Sequence, residues 1–312
     1  MISIGYFGSE FEKQWGISNK EKGLMGTIYQ LGSLLGSYLW GSISDNYGRS
    51  FSLKRSIILL IIGGFLWIFS ENIIEIYILC FISGIGNIGE LVLTPVVFKE
   101  FCPIKNVSFA TMLNIGFPIG GLLISIIVII IRIIDSNHLE DWKFLTIIMV
   151  FCQILIFIDR IDMDETPGFL AVNQKPQKAK EVLQNVAKNN KSDLKIGKIE
   201  IQENISKNHS RIRILLSKTY LKSSILLSII YFLILFGTFS LLLFMPRFLK
   251  NYSLITKYTV IGLQQVSGVP TNFLASYLVN TKLGRTRTLS YSLFIISVTI
   301  FLFSLANDII LV

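Results

Sequence analysis

Glu90 is the only acid set well inside one of the chain's long apolar runs, Ile74 to Val97, where it follows Gly84, Gly86 and Gly89. Desolvating a carboxylate there is unfavourable enough that a functional role is the default expectation: binding a cationic group or carrying a proton. The alternative is a structural hydrogen bond to a neighbouring helix. Gln30, Asn114, Gln153 and Gln265 are neutral polar groups in similar runs, suited either to lining a polar path or to hydrogen bonding between helices. A second set of charges lies where apolar runs end, in Gly41-Ser42-Ile43-Ser44-Asp45-Asn46-Tyr47-Gly48-Arg49 and its shorter echo Gly284-Arg285. Asp45 suits hydrogen bonds from a facing helix N-terminus, and Arg49 and Arg285 suit pairing with carboxylates across a gap between helix bundles, together a conformational gate. The plainer alternative is that Asp45 ends a helix and Arg49 follows the charge rule for membrane loops.

Other chemistries find no support. No nucleophile sits beside a base, no glycine loop is shaped for phosphate, and no paired histidines are spaced for a metal, so the chain does not read as an enzyme. His138 and His209 fall in predicted loops, which disfavours a histidine proton relay. Cys80, Cys102 and Cys152 lie in or beside apolar runs without metal-ligand spacing and read as buried thiols. Neither a metal nor a cofactor is expected.

These groups have to be positioned by membrane helices. The chain of 312 residues is 52% hydrophobic and only 16% charged, and apolar runs of roughly twenty residues recur between charged loops, the length needed to cross a hydrocarbon core. The runs do not alternate as barrel strands would. After an apolar stub, Met1 to Phe7, predicted spans cover Leu24 to Ser44, Ser56 to Ser70, Ile74 to Val97, Val107 to Arg132 and Phe144 to Ile158. Arg49, Lys54 and Arg55 are expected in a tight loop, Glu71-Asn72 in a turn, and a kink near Pro118. Small residues four apart, Gly32 with Gly36 and Ser33 with Ser37, predict close helix approach.

Residues 1–158 thus form one helix bundle. Residues 159–218 are polar and lysine-rich, a linker whose one amphipathic piece, Lys178 to Asn189, places Ala179, Val182, Leu183, Val186 and Ala187 on a shared face. Residues 219–312 hold three more spans, Tyr220 to Phe244, Tyr258 to Asn280 and Leu289 to Leu305, then a turn at Asn307-Asp308. The net charge of +9 is a topology signal rather than a nucleic-acid footprint, because most of the 29 lysines and arginines fall in the loops after Ser44, Val97, Ile158 and Asn280. Those loops face the cytoplasm by the positive-inside rule. The sequon Asn251-Tyr252-Ser253 would lie outside but too near the membrane for glycosylation. Aligning Gly48-Arg49 with Gly284-Arg285 brings the following spans into register and sets Glu71-Asn72 opposite Asn307-Asp308, the mark of a parallel internal repeat.

Gly41, Asp45, Gly48 and Arg49 at this spacing resemble the signature of the major facilitator superfamily between its second and third helices. Glu165-Thr166-Pro167-Gly168-Phe169-Leu170 is similar to the linker signature of the sugar-porter and organic-ion branches, carried by Glu165 and Pro167. Gly84, Gly86 and Gly89, with Pro95 through Glu100 to Pro103, resemble helix four of the same branches. Trp15-Gly16-Ile17-Ser18, Gly36-Ser37 with Trp40-Gly41, and Ser267-Gly268-Val269-Pro270 with Leu278-Val279 look most like synaptic-vesicle-protein-related and organic cation transporters. The sequence departs from the pattern at Cys80 and Gly168, where arginines are usual, and at Thr281, where an acid is usual.

The resemblance implies an all-α polytopic membrane protein with two pseudo-repeated six-helix bundles, the second truncated. By that plan the chain runs from the tail of helix one to the start of helix ten and holds about eight complete spans. It implies secondary active or facilitative transport of a small polar or cationic organic solute by alternating access, with proton symport open, in the plasma or a vesicle membrane. Its partners are then the solute, protons and the lipid bilayer, and no nucleic acid. The competing expectation is a transporter-like sensor or scaffold that binds a ligand or partner without flux. The gate so implied pairs with helix eleven, which lies beyond this stretch of the plan.

Overall fold

The computed structural model describes residues 2–102, 110, 112–134, 141–191, 217–248 and 252–310. The described residues form eleven helices and no strand. In chain order they are α1 Ile2–Trp15, α2 Asn19–Tyr47, α3 Arg49–Ile68, α4 Ile73–Phe101, α5 Gly116–Ile134, α6 Asp141–Arg160, α7 Pro167–Val172, α8 Pro176–Asn189, α9 Leu221–Phe248, α10 Leu254–Val279 and α11 Gly284–Ile310. Spans in α3, α4, α5, α6 and α9 are long and apolar enough to cross a membrane. The all-helical, multi-pass membrane architecture expected from the sequence is therefore present. Large apolar side chains such as Leu34, Phe65, Ile133 and Phe232 stay exposed on the helix surfaces, as they must where the surrounding solvent is lipid.

The chain divides into two compact units, one of Met1–Phe101 with Ile124–Thr259 and the other of Cys102–Leu123 with Val260–Val312. In the first, α4 is the central element. Glycines let it approach α2 backbone to backbone: a Cβ on Gly32 would overlap the Phe81 carbonyl, one on Gly84 the Tyr29 carbonyl, and one on Gly36 would lie 2.8 Å from Cα of Ile85. On its α3 side, Gly86 and Gly89 sit against Leu60 and Ser56. Such contact supplies the dispersion that drives helix association in lipid. Trp40, Leu53 and Leu93 form a buried cluster between α2, α3 and α4, and the Trp40 indole donates to the Ile85 carbonyl at 2.8 Å.

The opposite end is closed by aromatic side chains. Phe7, Phe11 and Trp15 recur every fourth residue on α1 and meet Trp67 and Trp142, with Phe11 centred 4.6 Å from Trp15 and 5.0 Å from Trp142. Trp142 donates to Gln14 at 3.0 Å. Ser18 and Glu21 form a reciprocal capping box that starts α2. Hydrogen bonds from the Ser18 backbone and hydroxyl hold the Glu21 carboxyl below its usual range, just outside the span that begins at Leu24.

Several boundaries differ from the sequence expectation. The N-terminal stub is a 14-residue helix reaching Trp15. Lys54 and Arg55 lie inside α3, which starts at Arg49. Pro118 falls in the first turn of α5, where a missing amide hydrogen costs no α-helical bond, directly after a 3-10 turn at 112–115. Asn307-Asp308 belong to α11 rather than to a turn. His138, His209, Asn251 and Pro103 lie outside the described residues.

Candidate functional site

Gly48 joins α2 to α3 with φ +116°, so one residue ends the first helix and opens the second. That backbone conformation favours glycine. A Cβ there would also strike the Glu165 carboxylate. The carboxylate needs the space because its Oε1 accepts the backbone N–H of Arg49 at 2.7 Å, of Ser50 at 3.1 Å and of Thr166 at 3.0 Å. A negative side chain from 116 residues further along thus caps the positive end of α3.

The Arg49 side chain gathers the remaining charges. It lies 3.3 Å from Asp45 and 3.0 Å from Glu100, donates to the Ser44 carbonyl at 2.9 Å, and places its guanidinium 5.6 Å from the Phe169 ring centre. Gly168 gives Glu100 room, since a Cβ at that position would lie 2.6 Å from the carboxylate. Lys54 donates to the Ile161 and Met163 carbonyls, at 2.6 and 3.1 Å, and Ser50 donates to Met163 at 2.8 Å. Below the junction, Leu170, Ala179 and Val182 of α7 and α8 pack on Phe101. The expected amphipathic helix is present, with its apolar face buried against the end of α4. Asp45, Gly48, Arg49 and Glu165 are therefore brought together, along with Glu100, which the sequence reading did not assign to the junction. Gly41 stands apart, with open space where a Cβ would be.

Glu90 is paired within the first unit. Ser56 of α3 donates to one oxygen at 3.0 Å and Arg160, the last residue of α6, bridges the other. About a fifth of each charged side chain is exposed, 20% for Glu90 and 21% for Arg160. The arrangement is the interhelical alternative, extended to a third helix. Gln153 has its Oε1 buried with no hydrogen bond among the described residues and lies near Gly64. Gln30 is half-buried on α2. In the second unit Gln265 is buried, whereas Asn114 and Arg285 are exposed and Gly284 adopts φ +68°. One polar couple was missed: Asn87 of α4 donates to the Tyr29 hydroxyl of α2 at 2.7 Å. The signal was available, because Ser83, Asn87, Glu90 and Thr94 are spaced for one face of a helix. No cluster for a metal ion occurs among the described residues.

Comparison with known proteins gives the context. The family described as "Sugar (and other) transporter" matches residues 5–311. The chain is 24% identical over 243 residues to the Synaptic vesicle 2-related protein of Xenopus laevis, covering 78% of this chain and 43% of that one. It is 22% identical over 275 residues to a putative niacin/nicotinamide transporter of Bacillus subtilis, covering 87% of this chain and 60% of the relative. To the Organic cation/carnitine transporter 7 of Arabidopsis thaliana it is 24% identical, over 65% of this chain and 41% of the relative. The chain thus spans about half the length of these curated relatives. Among solved structures, the proton:xylose symporter XylE bound to 6-bromo-6-deoxy-D-glucose superposes with a TM-score of 0.73 at 18% identity, over 90% of this chain and 67% of that one. A partially occluded, inward-open form of XylE from E. coli gives a TM-score of 0.65.

Proposed function

Because the chain belongs to the sugar (and other) transporter family of the major facilitator superfamily, we propose that it moves a small polar or cationic organic solute across a membrane by alternating access. The observation that carries this reading is the Arg49 junction. It fastens the ends of α2, α3 and α4 and the start of α7 through Asp45, Glu100 and Glu165. Alternating access needs bundles that rock as bodies about a site near the middle of the membrane. A set of convergent charge-assisted hydrogen bonds at the helix ends makes such a body stiff. Residues 1–158 are proposed as the first bundle, 159–218 as the linker and 219–312 as part of the second, with Gly284 and Arg285 as the equivalent junction there.

The substrate class is proposed from chemistry and from relatives whose names specify niacin or nicotinamide, organic cations and xylose. Small polar organic molecules are common to all three. Gln30, Gln153, Asn114 and Gln265 are proposed for the solute path as neutral hydrogen-bonding groups. Glu90 is proposed as a proton-linked group whose ion pair with Arg160 would open when it is protonated. Uptake by liposomes containing the protein, with and without an imposed proton gradient, tests the whole reading. No uptake of sugars, organic cations or nicotinamide in either condition would sink it.

One observation favours the second reading, a transporter-like sensor or scaffold. Glu90 already has a cationic partner in Arg160, and a carboxylate so occupied is less available to a cationic solute. That reading predicts saturable ligand binding without flux.

A further inference from the structure

Asn87 is the fifteenth of the 29 residues of α4, roughly 21 Å along the helix from either end at 1.5 Å per residue. A polar side chain at that depth is expected to be buried in protein or to face water. It is exposed. The four polar side chains between Tyr77 and Lys99 are Ser83, Asn87, Glu90 and Thr94, spaced i, i+4, i+7 and i+11, so they share one face of α4. The α2 side of the helix is taken by Phe81, Gly84, Ile85 and Ile88, and the α3 side by Gly86 and Gly89. Ser83 accepts from Trp67, and Glu90 is engaged by Ser56 and Arg160.

Asn87 makes one hydrogen bond among the described residues, its Nδ2 to the Tyr29 hydroxyl at 2.7 Å, and Tyr29 is itself only 8% exposed. The carboxamide therefore keeps a second N–H and its carbonyl oxygen for another partner. Tyr29 holds the amide plane, so both groups are presented from a fixed position rather than from a free rotor. Lipid cannot satisfy them, and neither carries a charge.

We propose that Asn87, oriented by Tyr29, faces a water-filled path at mid-membrane and hydrogen-bonds a neutral donor–acceptor group of the solute, a carboxamide or neighbouring hydroxyls. This rests on the transport reading above and deepens it: the site selects by hydrogen bonding and not by cation charge. Asn87 is a specificity-determining contact, and Tyr29 is a positioning residue.

The test labels Asn87→Cys in a background carrying Cys102→Ser and Cys152→Ser, with Cys80 left in its buried place. A charged methanethiosulfonate reagent is compared with a lipophilic maleimide, with and without nicotinamide or xylose as probe. The inference predicts reaction with the charged reagent and slowing of that reaction by one of the two probes. In parallel, Asn87→Ala weakens binding of the protecting probe about tenfold, the loss of one good hydrogen bond. Tyr29→Phe weakens it less. Reaction with the maleimide alone places Asn87 against lipid and overturns the inference. So does a wild-type affinity for both probes in Asn87→Ala. If the charged reagent reacts and a probe protects but the protein moves no solute, the binding site stands and the transport reading fails.

Discussion

Replacing Glu165 by alanine probes the junction most sharply, because one oxygen of that side chain serves three backbone N–H groups. The bonds to Arg49, Ser50 and Thr166 measure 2.7, 3.1 and 3.0 Å. A hydrogen bond to a charged group contributes about 1.5–3 kcal/mol, and one at a helix start also gains from the dipole. The three share one acceptor in a half-buried setting and do not add, so the expected loss is about 3 kcal/mol. At about 2 °C per kcal/mol for a chain of this size, the melting midpoint falls by about 6 °C. The assay is thermal unfolding of the purified protein in detergent, followed by size-exclusion fluorescence. Glu165→Gln keeps an acceptor oxygen in place and is expected to recover about half the loss. Gly48→Ala should match Glu165→Ala, since its methyl group displaces the same carboxylate and strains a φ of +116°. Midpoints within about 1 °C of wild type for both Glu165→Ala and Gly48→Ala would refute the capping argument.

Other expectations follow from the same contacts. Removing either partner of Glu90 and Arg160 leaves a partly exposed charge unpaired, so Glu90→Gln and Arg160→Gln each destabilise by about 2 kcal/mol, less than a fully buried pair. The double substitution is expected to lose less than their sum, as a double-mutant cycle on melting midpoints will read. Under the proton-linked proposal Glu90→Gln also abolishes uptake, and wild-type uptake in that variant removes Glu90 from the transport step. Gly84→Ala drives a methyl group into the Tyr29 carbonyl and is expected to cost about 3 kcal/mol or prevent folding, visible as loss of a monodisperse peak. For Glu21, whose carboxyl is held low by Ser18, the cap contributes above the ordinary value of 4.5 and is lost as pH falls through the lowered one. Protection of the amides at the start of α2 against exchange should therefore fall in acid; Ser18→Ala, which keeps the backbone N–H to the Glu21 carboxylate, should weaken that pH dependence, and Glu21→Gln should remove it.

Much of the fold was legible because lipid imposes simple rules. Long apolar runs forecast the helices, and the four-residue spacing of Gly32 and Gly36 forecast a close helix approach, whose partner, α4, only the structure identifies. Errors gathered where a distant residue decides a local structure. Arg49 opens α3 because Glu165 caps it from across the chain, and no signal near Arg49 announces that. Arg160 falls at the start of the polar stretch 159–218 yet reaches Glu90, a partner only tertiary packing brings near. Of the candidate site, Asp45, Gly48, Arg49 and Glu165 were legible as a motif, while the role of Glu100 required seeing α4 end beside them. Asn87 was legible in principle through the spacing of Ser83, Asn87, Glu90 and Thr94, but a charged neighbour drew the reading to Glu90.

Solute counterflow tests alternating access more directly than net uptake does. Liposomes containing the protein are loaded with unlabelled solute and diluted into a trace of the labelled form. Alternating access predicts a transient accumulation of label above its equilibrium level, abolished or strongly slowed in Arg49→Ala. Label that only rises to equilibrium, or that behaves identically in wild type and Arg49→Ala, would contradict the account.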